Sequence, residues 1–159
     1  MKAASLKDIQ TELENLSSKE LMDLCLRLGR FKKENKELLT YLLFEAFDEQ
    51  SYVNNIKTEI TEGFAEMNTM NLYFVKKSLR KILRMINKYS RYTGSAIAEV
   101  QLLLHFCTSL KESGIAFTES PVLVNLYRNQ LKKIEKTVAG LHEDLQYDYL
   151  KELKPLSGN

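Results

Sequence analysis

A row of basic side chains is the feature of this 159-residue sequence that is best suited to chemistry. Between residues 67 and 98 there are seven lysines and arginines and no aspartate or glutamate. Cations on one side of a helix can follow the phosphates of a nucleic acid, so a basic face is predicted on a helix at about 71–92. Six residues share that side over about 20 Å of helix: Lys77, Arg80, Lys81, Arg84, Lys88 and Arg91.

The same row has a second interpretation, which the overall charge favours. The preceding stretch, 45–66, has six acids and one lysine, so the two segments can attract each other. The formal net charge is only +2 and the pI is about 8.4, low for a dedicated nucleic-acid binder. Tyr73, Tyr89 and Tyr92 accompany the row, and each either stacks on a base or buries its ring at the rim of the core.

Catalytic residues are sparse. His105 and His142 are the only histidines, and neither has a second ligand at a metal-binding spacing. Cys107 lies two residues from His105, and side chains two apart on a helix point in different directions, so no nucleophile pair is expected. Glycine-rich phosphate loops are absent from the sequence. We therefore predict a protein that is not an enzyme and that uses no metal and no cofactor.

Composition predicts the fold class. Hydrophobic residues make up 44% and charged residues 28%, which is typical of a folded globular chain. Six glycines and two prolines are too few for the turns of a many-stranded fold. The prediction is an all-α fold of six to seven helices in sequential antiparallel hairpins, either an irregular helical-repeat-like stack or a bundle. Residues 1–154 are expected to form one domain and 155–159 a frayed tail.

Nothing in the sequence predicts a membrane segment or a signal peptide. No stretch reaches 18 apolar residues, and the opening residues lack an apolar centre. Cys25 and Cys107 lie far apart and form no zinc or redox motif, which suits buried thiols in a reducing compartment. The expected location is cytoplasmic, without a membrane partner.

Capping residues and apolar spacing predict where the helices begin and end. The third helix, from about 35 to 47, has an apolar arc too wide for one wet side, so it and the sixth helix are expected to be central. The first two helices are expected to pair as a hairpin that stops at Gly29. Helix starts are predicted at five caps: Ser5, Ser17, Asp48, Ser95 and Ser120.

The predicted seventh helix runs from Pro121 to about Leu153 and carries a seam like that of a coiled coil. Such a seam needs a partner helix, either from the same chain or from a second copy in a homodimer. The seam residues recur at alternating steps of four and three: Tyr127, Leu131, Ile134, Val138, Leu141 and Leu145.

These observations favour a helical protein-interaction module, an adaptor or scaffold whose partner is another protein. Grooves between helices and a face of segregated charge are ordinary ways to recognise a protein. The alternative function is nucleic-acid binding through the basic face. Nucleic-acid binding requires Arg80, Arg84 and Lys88 to form one exposed patch. Neutralisation of these residues by neighbouring acids would argue against it.

Overall fold

The structure is a computed structural model that describes residues 1–158. Within these residues the chain is helical and has no strand, so the predicted all-α fold is confirmed. None of the helices there combines the length and the apolarity that a membrane span requires. The α-helices are α1 (Leu6–Glu14), α2 (Ser18–Phe31), α3 (Lys33–Thr40), α4 (Glu49–Ala65), α5 (Leu72–Thr93), α6 (Ala96–Glu112), α7 (Pro121–Val138) and α8 (Glu143–Ser157).

The predicted helix starts are confirmed by side-chain caps. At the start of α2, the Ser17 hydroxyl accepts a hydrogen bond from the amide of Glu20, and the Glu20 carboxylate accepts one from the Ser17 amide at 2.8 Å. The Ser17 hydroxyl also donates to the Glu20 carboxylate at 2.7 Å, and this bond, together with the one from the Ser17 amide, lowers the pKa of Glu20. Ser5 caps α1 in the same reciprocal way, and hydrogen-bonded caps also begin α4, α6 and α7 at the predicted residues.

Contacts divide the chain into two compact units, and the first comprises Met1–Phe44. In this unit α2 packs mainly against α3. Helix α2 continues past Gly29 to Phe31, so the predicted stop at Gly29 is wrong. The glycine instead permits a close approach, because a Cβ atom there would lie 3.1 Å from Cδ1 of Leu39.

The predicted central position of the third helix is wrong. Helix α3 ends at Thr40, and the chain continues as a π-helical turn over Tyr41–Glu45 and a 3-10 turn over Ala46–Asp48. Leu42, Leu43 and Phe44 are exposed by 55%, 69% and 64%. Their wide apolar arc reflects an uncovered surface, because the first unit has no core large enough to bury it.

The second unit starts at Glu45 and is built around α6, whose predicted central position is confirmed. Helix α6 packs against α4, α5, α7 and α8, and it has buried residues around most of its circumference. A helix of this kind must be covered on all sides. The buried residues of α6 are Ala98, Val100, Leu102, Leu103, Leu104, Phe106, Cys107 and Leu110.

The prediction of one long seventh helix is wrong. Helix α7 ends at Val138, and a turn leads to α8, which begins at Glu143. Gln146 stabilises this turn because its side-chain amide donates to the carbonyl of Leu141 at 2.8 Å. By reversing direction, the chain packs α8 against both α6 and α7.

The prediction of a frayed tail from residue 155 is wrong for residues 155–157, which continue α8. Leu156 is buried, and the Lys111 ammonium group donates to the carbonyls of Pro155 and Gly158 at the end of the helix. Asn159, also assigned to the tail, lies outside the described residues.

The central position of α6 makes a stability prediction. Leu104 is 4% exposed, so Leu104→Ala should lower the free energy of unfolding by about 2–5 kcal/mol through lost burial and a residual cavity. Urea denaturation followed by circular dichroism measures this change. Leu150 on α8 is 48% exposed and serves as the control, since Leu150→Ala should change the free energy by less than about 0.5 kcal/mol. Equal effects of the two substitutions would contradict a buried α6.

Candidate interaction surfaces

Helix α5 presents the predicted basic face outward because its other side is buried. Its N-terminus is capped by Asn71, and it ends at Gly94, whose φ of +61° suits glycine. The basic residues lie opposite the buried residues, so core packing fixes the direction in which they point. The buried apolar residues of α5 are Val75, Leu79, Ile82, Leu83 and Ile86.

Five of the six basic-face residues are exposed, and the sixth, Lys88, is half-buried. Within residues 1–158, none of the five exposed cations has an acidic group within ion-pair distance. A carboxylate at 4 Å or less would have neutralised part of this charge. The face therefore keeps most of its positive charge at the protein surface.

The acids of α4 reach this face only at its edge. Glu59, Glu62 and Glu66 line a cleft of about 320 Å³ together with Lys81. Partial burial and the neighbouring Glu62 raise the pKa of Glu59, whereas the positive charge of Lys88 acts in the opposite direction. The acidic segment therefore interacts with one margin of the basic face and leaves Arg80 and Arg84 without ion pairs.

The fold brings a basic residue of α7 to the same face. The Lys133 ammonium group donates to the side-chain oxygen of Asn87 at 2.9 Å and also pairs with Glu99 at 2.6 Å. Asn87 lies on the side of α5 that carries Arg84 and Arg91. This link between α7 and α5 joins residues 46 positions apart, which spacing along one helix could not predict.

Tyr73 is the aromatic residue that accompanies the basic face at the surface. It is 63% exposed and lies within about 20° of Arg80 and Arg84 on the helical wheel. Tyr89 and Tyr92 are half-buried, and their rings pack against each other with centroids 6.0 Å apart. Of the three tyrosines that accompany the basic face in the sequence, only Tyr73 therefore has a largely exposed ring.

A second surface, which the sequence analysis did not identify, lies on the first unit. Only Tyr41 is buried among residues 1–44, whereas eleven large apolar residues there are exposed by 37–85%. We call these eleven the N-terminal apolar surface: Leu6, Ile9, Leu13, Met22, Leu24, Leu26, Leu28, Phe31, Leu42, Leu43 and Phe44.

Sequence spacing contained a signal for this surface. On α2, Leu21, Leu24, Leu28 and Phe31 follow steps of three, four and three, which is the spacing of a coiled-coil seam. The adjacent side of α2, which carries Gly29, faces α3. The seam therefore has no helix of the first unit packed fully over it, and exposure rises along it from 37% at Leu24 to 75% at Phe31.

The seam predicted on the seventh helix has its partner within the same chain. Its residues on α7 are buried in the core of the second unit. The Tyr127 hydroxyl donates to the carbonyl of Leu156 on α8 at 2.9 Å, and burial raises the pKa of Tyr127 to about 12. Leu141 lies in the turn and Leu145 on α8, both half-buried against this core. The seam is thus part of an internal interface.

The two candidate nucleophilic or basic side chains of α6 occupy structural positions. The Thr61 hydroxyl is 3.0 Å from the carbonyl of Lys57 and 2.9 Å from Nε2 of His105. Since the hydroxyl donates to the carbonyl, it accepts from an Nε2–H group. Burial and the nearby Lys57 charge lower the pKa of His105, and burial raises the pKa of Cys107 to about 12. In the described part of the chain, no three His, Cys, Asp or Glu side chains are grouped for a metal ion.

Comparison with known proteins found no match for this chain among protein-family models, curated proteins or solved structures. The functional proposals therefore rest on the chemistry of the basic face and of the N-terminal apolar surface.

The two cysteines should differ sharply in reactivity. Cys25 is exposed on α2, whereas Cys107 is buried and has a pKa of about 12, so its thiolate is scarce at pH 8. A thiol reagent such as Ellman's reagent should titrate one thiol in the native protein and two in denaturant. Cys25→Ser should abolish the native reaction. Rapid labelling of Cys107 in the native state would contradict the packing of α6.

Proposed function

We propose that this chain is a non-enzymatic helical protein-interaction module, an adaptor or scaffold that binds a protein partner through the N-terminal apolar surface. The observation that carries the proposal is the exposure of eleven large apolar residues in a unit with one buried residue. Leu24, Leu28 and Phe31 lie together on one side of α2, and contiguous exposed apolar residues are typical of interaction sites.

The small size of the first unit supports the same conclusion. Helices α1 and α3 have nine and eight residues, lengths at which a helix is marginal in water unless it packs against something. Domains of about 40 residues usually need a disulfide, a metal or another chain to be stable. Cys25 and Cys107 are both free thiols. A protein partner would cover the apolar residues and stabilise these helices together.

Nucleic-acid binding through the basic face is the second candidate function. It is favoured by five exposed cations that have no ion pair in residues 1–158, aligned with the exposed ring of Tyr73. A row of cations contacts phosphates, and an exposed aromatic ring stacks on a base.

The protein-interaction proposal is tested by photocrosslinking in cells that express the full chain. Leu28 lies on the α2 seam and is 54% exposed, and Leu150 is 48% exposed, which makes them a matched pair in the two units. A photoreactive amino acid at position 28 should give covalent adducts with a protein, because a partner covers this surface. The same amino acid at position 150 is the control and should give none. Absence of an adduct at position 28 would overturn the proposal.

The nucleic-acid proposal is tested by fluorescence anisotropy with labelled duplex DNA, single-stranded DNA and structured RNA. Contact with about five phosphates gives a slope of log K against log salt near −4.5, a loss of several hundred-fold between about 50 and 200 mM salt. Replacing Arg80, Arg84 and Arg91 by alanine should remove most of the binding.

The control variant replaces Lys2, Lys7 and Lys19 by alanine, which removes the same charge from exposed positions off the basic face. If both triple variants bind equally, the affinity comes from overall charge and the basic face is not the site. If the protein does not bind nucleic acid at low salt, the proposal is wrong and the basic face only interacts with water.

A further inference from the structure

The geometry points to a second copy of this chain as the partner of the N-terminal apolar surface, which makes the protein a homodimer held by residues 1–44. This inference rests on the proposed protein-interaction function and names its partner. The contact would centre on the α2 seam, which consists of Leu21, Leu24, Leu28 and Phe31.

The area of exposed surface is sufficient for a stable dimer. The chain exposes 11,336 Å², whereas a compact monomer of 18.4 kDa exposes about 8,200 Å². Even two separate compact bodies of about 5 and 13 kDa would together expose only about 9,700 Å². The excess over this area, taken over the whole chain, is about twice the 800 Å² or so that each partner contributes to a stable protein interface.

The seam on α2 is the part of this surface most suited to self-association. Two-stranded association requires apolar residues at alternating steps of three and four, and a second α2 helix supplies the same row in return. The contact is self-complementary, as a two-fold interface requires. It would also give each first unit the second apolar layer that a small domain without a disulfide lacks.

Charge along α2 selects an antiparallel arrangement. The first half of the helix contains Lys19, Glu20 and Asp23 and has a net charge of −1, and the second half contains Arg27 and Arg30 and has a net charge of +2. Antiparallel pairing of two α2 helices places the acidic half of each beside the basic half of the other, whereas parallel pairing places like charges together. The helix dipoles also oppose each other in the antiparallel arrangement.

The charge of the first unit is compatible with association of two copies. Residues 1–44 contain eight basic and seven acidic side chains, so their net charge is +1 and the unit does not repel a copy of itself. Five of the eight basic residues lie in 27–36 beside one acid, so binding to anionic vesicles is an outcome that the tests below must separate from dimerisation.

Sedimentation equilibrium of the full chain should give twice the mass of 18.4 kDa. Leu28→Asp should raise the dissociation constant at least about 100-fold, because it buries a carboxylate in the seam. Leu28 is 54% exposed in one chain, so the substitution leaves the core of the second unit intact. Leu150→Asp is the matched control at a similarly exposed leucine and should leave the dimer unchanged. Monomer at all concentrations, or equal weakening by both substitutions, would overturn the inference.

A second measurement needs no substitution in the seam. Cys25 lies beside Leu24 and Leu28 on α2 and is exposed, while Cys107 is buried. A flexible bis-maleimide should therefore link Cys25 of two copies into a covalent dimer, and Cys25→Ser should abolish the product. No covalent dimer at one reagent molecule per two thiols, with both copies of Cys25 accessible to a monofunctional maleimide, would overturn the inference.

The two proposals fail differently. If the purified chain is monomeric and the adduct at position 28 contains a different protein, the dimer is refuted and the protein-interaction function stands. If the adduct contains this chain, both are supported. Binding of the monomeric chain to anionic vesicles through residues 1–44, with no protein adduct, would overturn both.

Discussion

Burial of α6 is the constraint on which the second unit depends. Leu102, Leu103 and Leu104 are consecutive and all buried, so α6 cannot turn a side to water. Covering it takes α4, α5, α7 and α8, which all pack against it. The turn between α7 and α8 follows from this requirement, because a straight helix would carry Leu153 and Leu156 away from the core that they help to close.

The basic face follows from the same packing. Helix α5 covers one side of α6 with its apolar residues, and this leaves its cationic side facing outward. The acids of α4 contact only the margin near Lys81 and Lys88, so the charge of Arg80 and Arg84 is not cancelled within the chain. The buried side of α5 therefore fixes the orientation of the helix, and its basic face is exposed at the surface.

The first unit has no central helix, and its apolar residues are exposed where those of the second unit are buried. Its large apolar residues are mostly exposed, and Tyr41 is the one buried residue among 1–44. The free energy that α6 provides to the second unit through internal burial is available to the first unit only through association. The proposed protein interaction would provide this burial, and a second α2 helix, the partner that we propose, has the spacing and charge that fit the exposed seam.

The sequence by itself determined the local features of this protein. Hydrogen-bonded caps such as those of Ser17 and Ser120, and the division of α5 into apolar and basic sides, depend on residues within a few positions of one another. Spacing alone did not distinguish the seam of α7, which is buried within the chain, from the seam of α2, which is exposed. The two seams have the same apolar period. Only the tertiary structure decided between them, because burial depends on which distant elements pack over a helix.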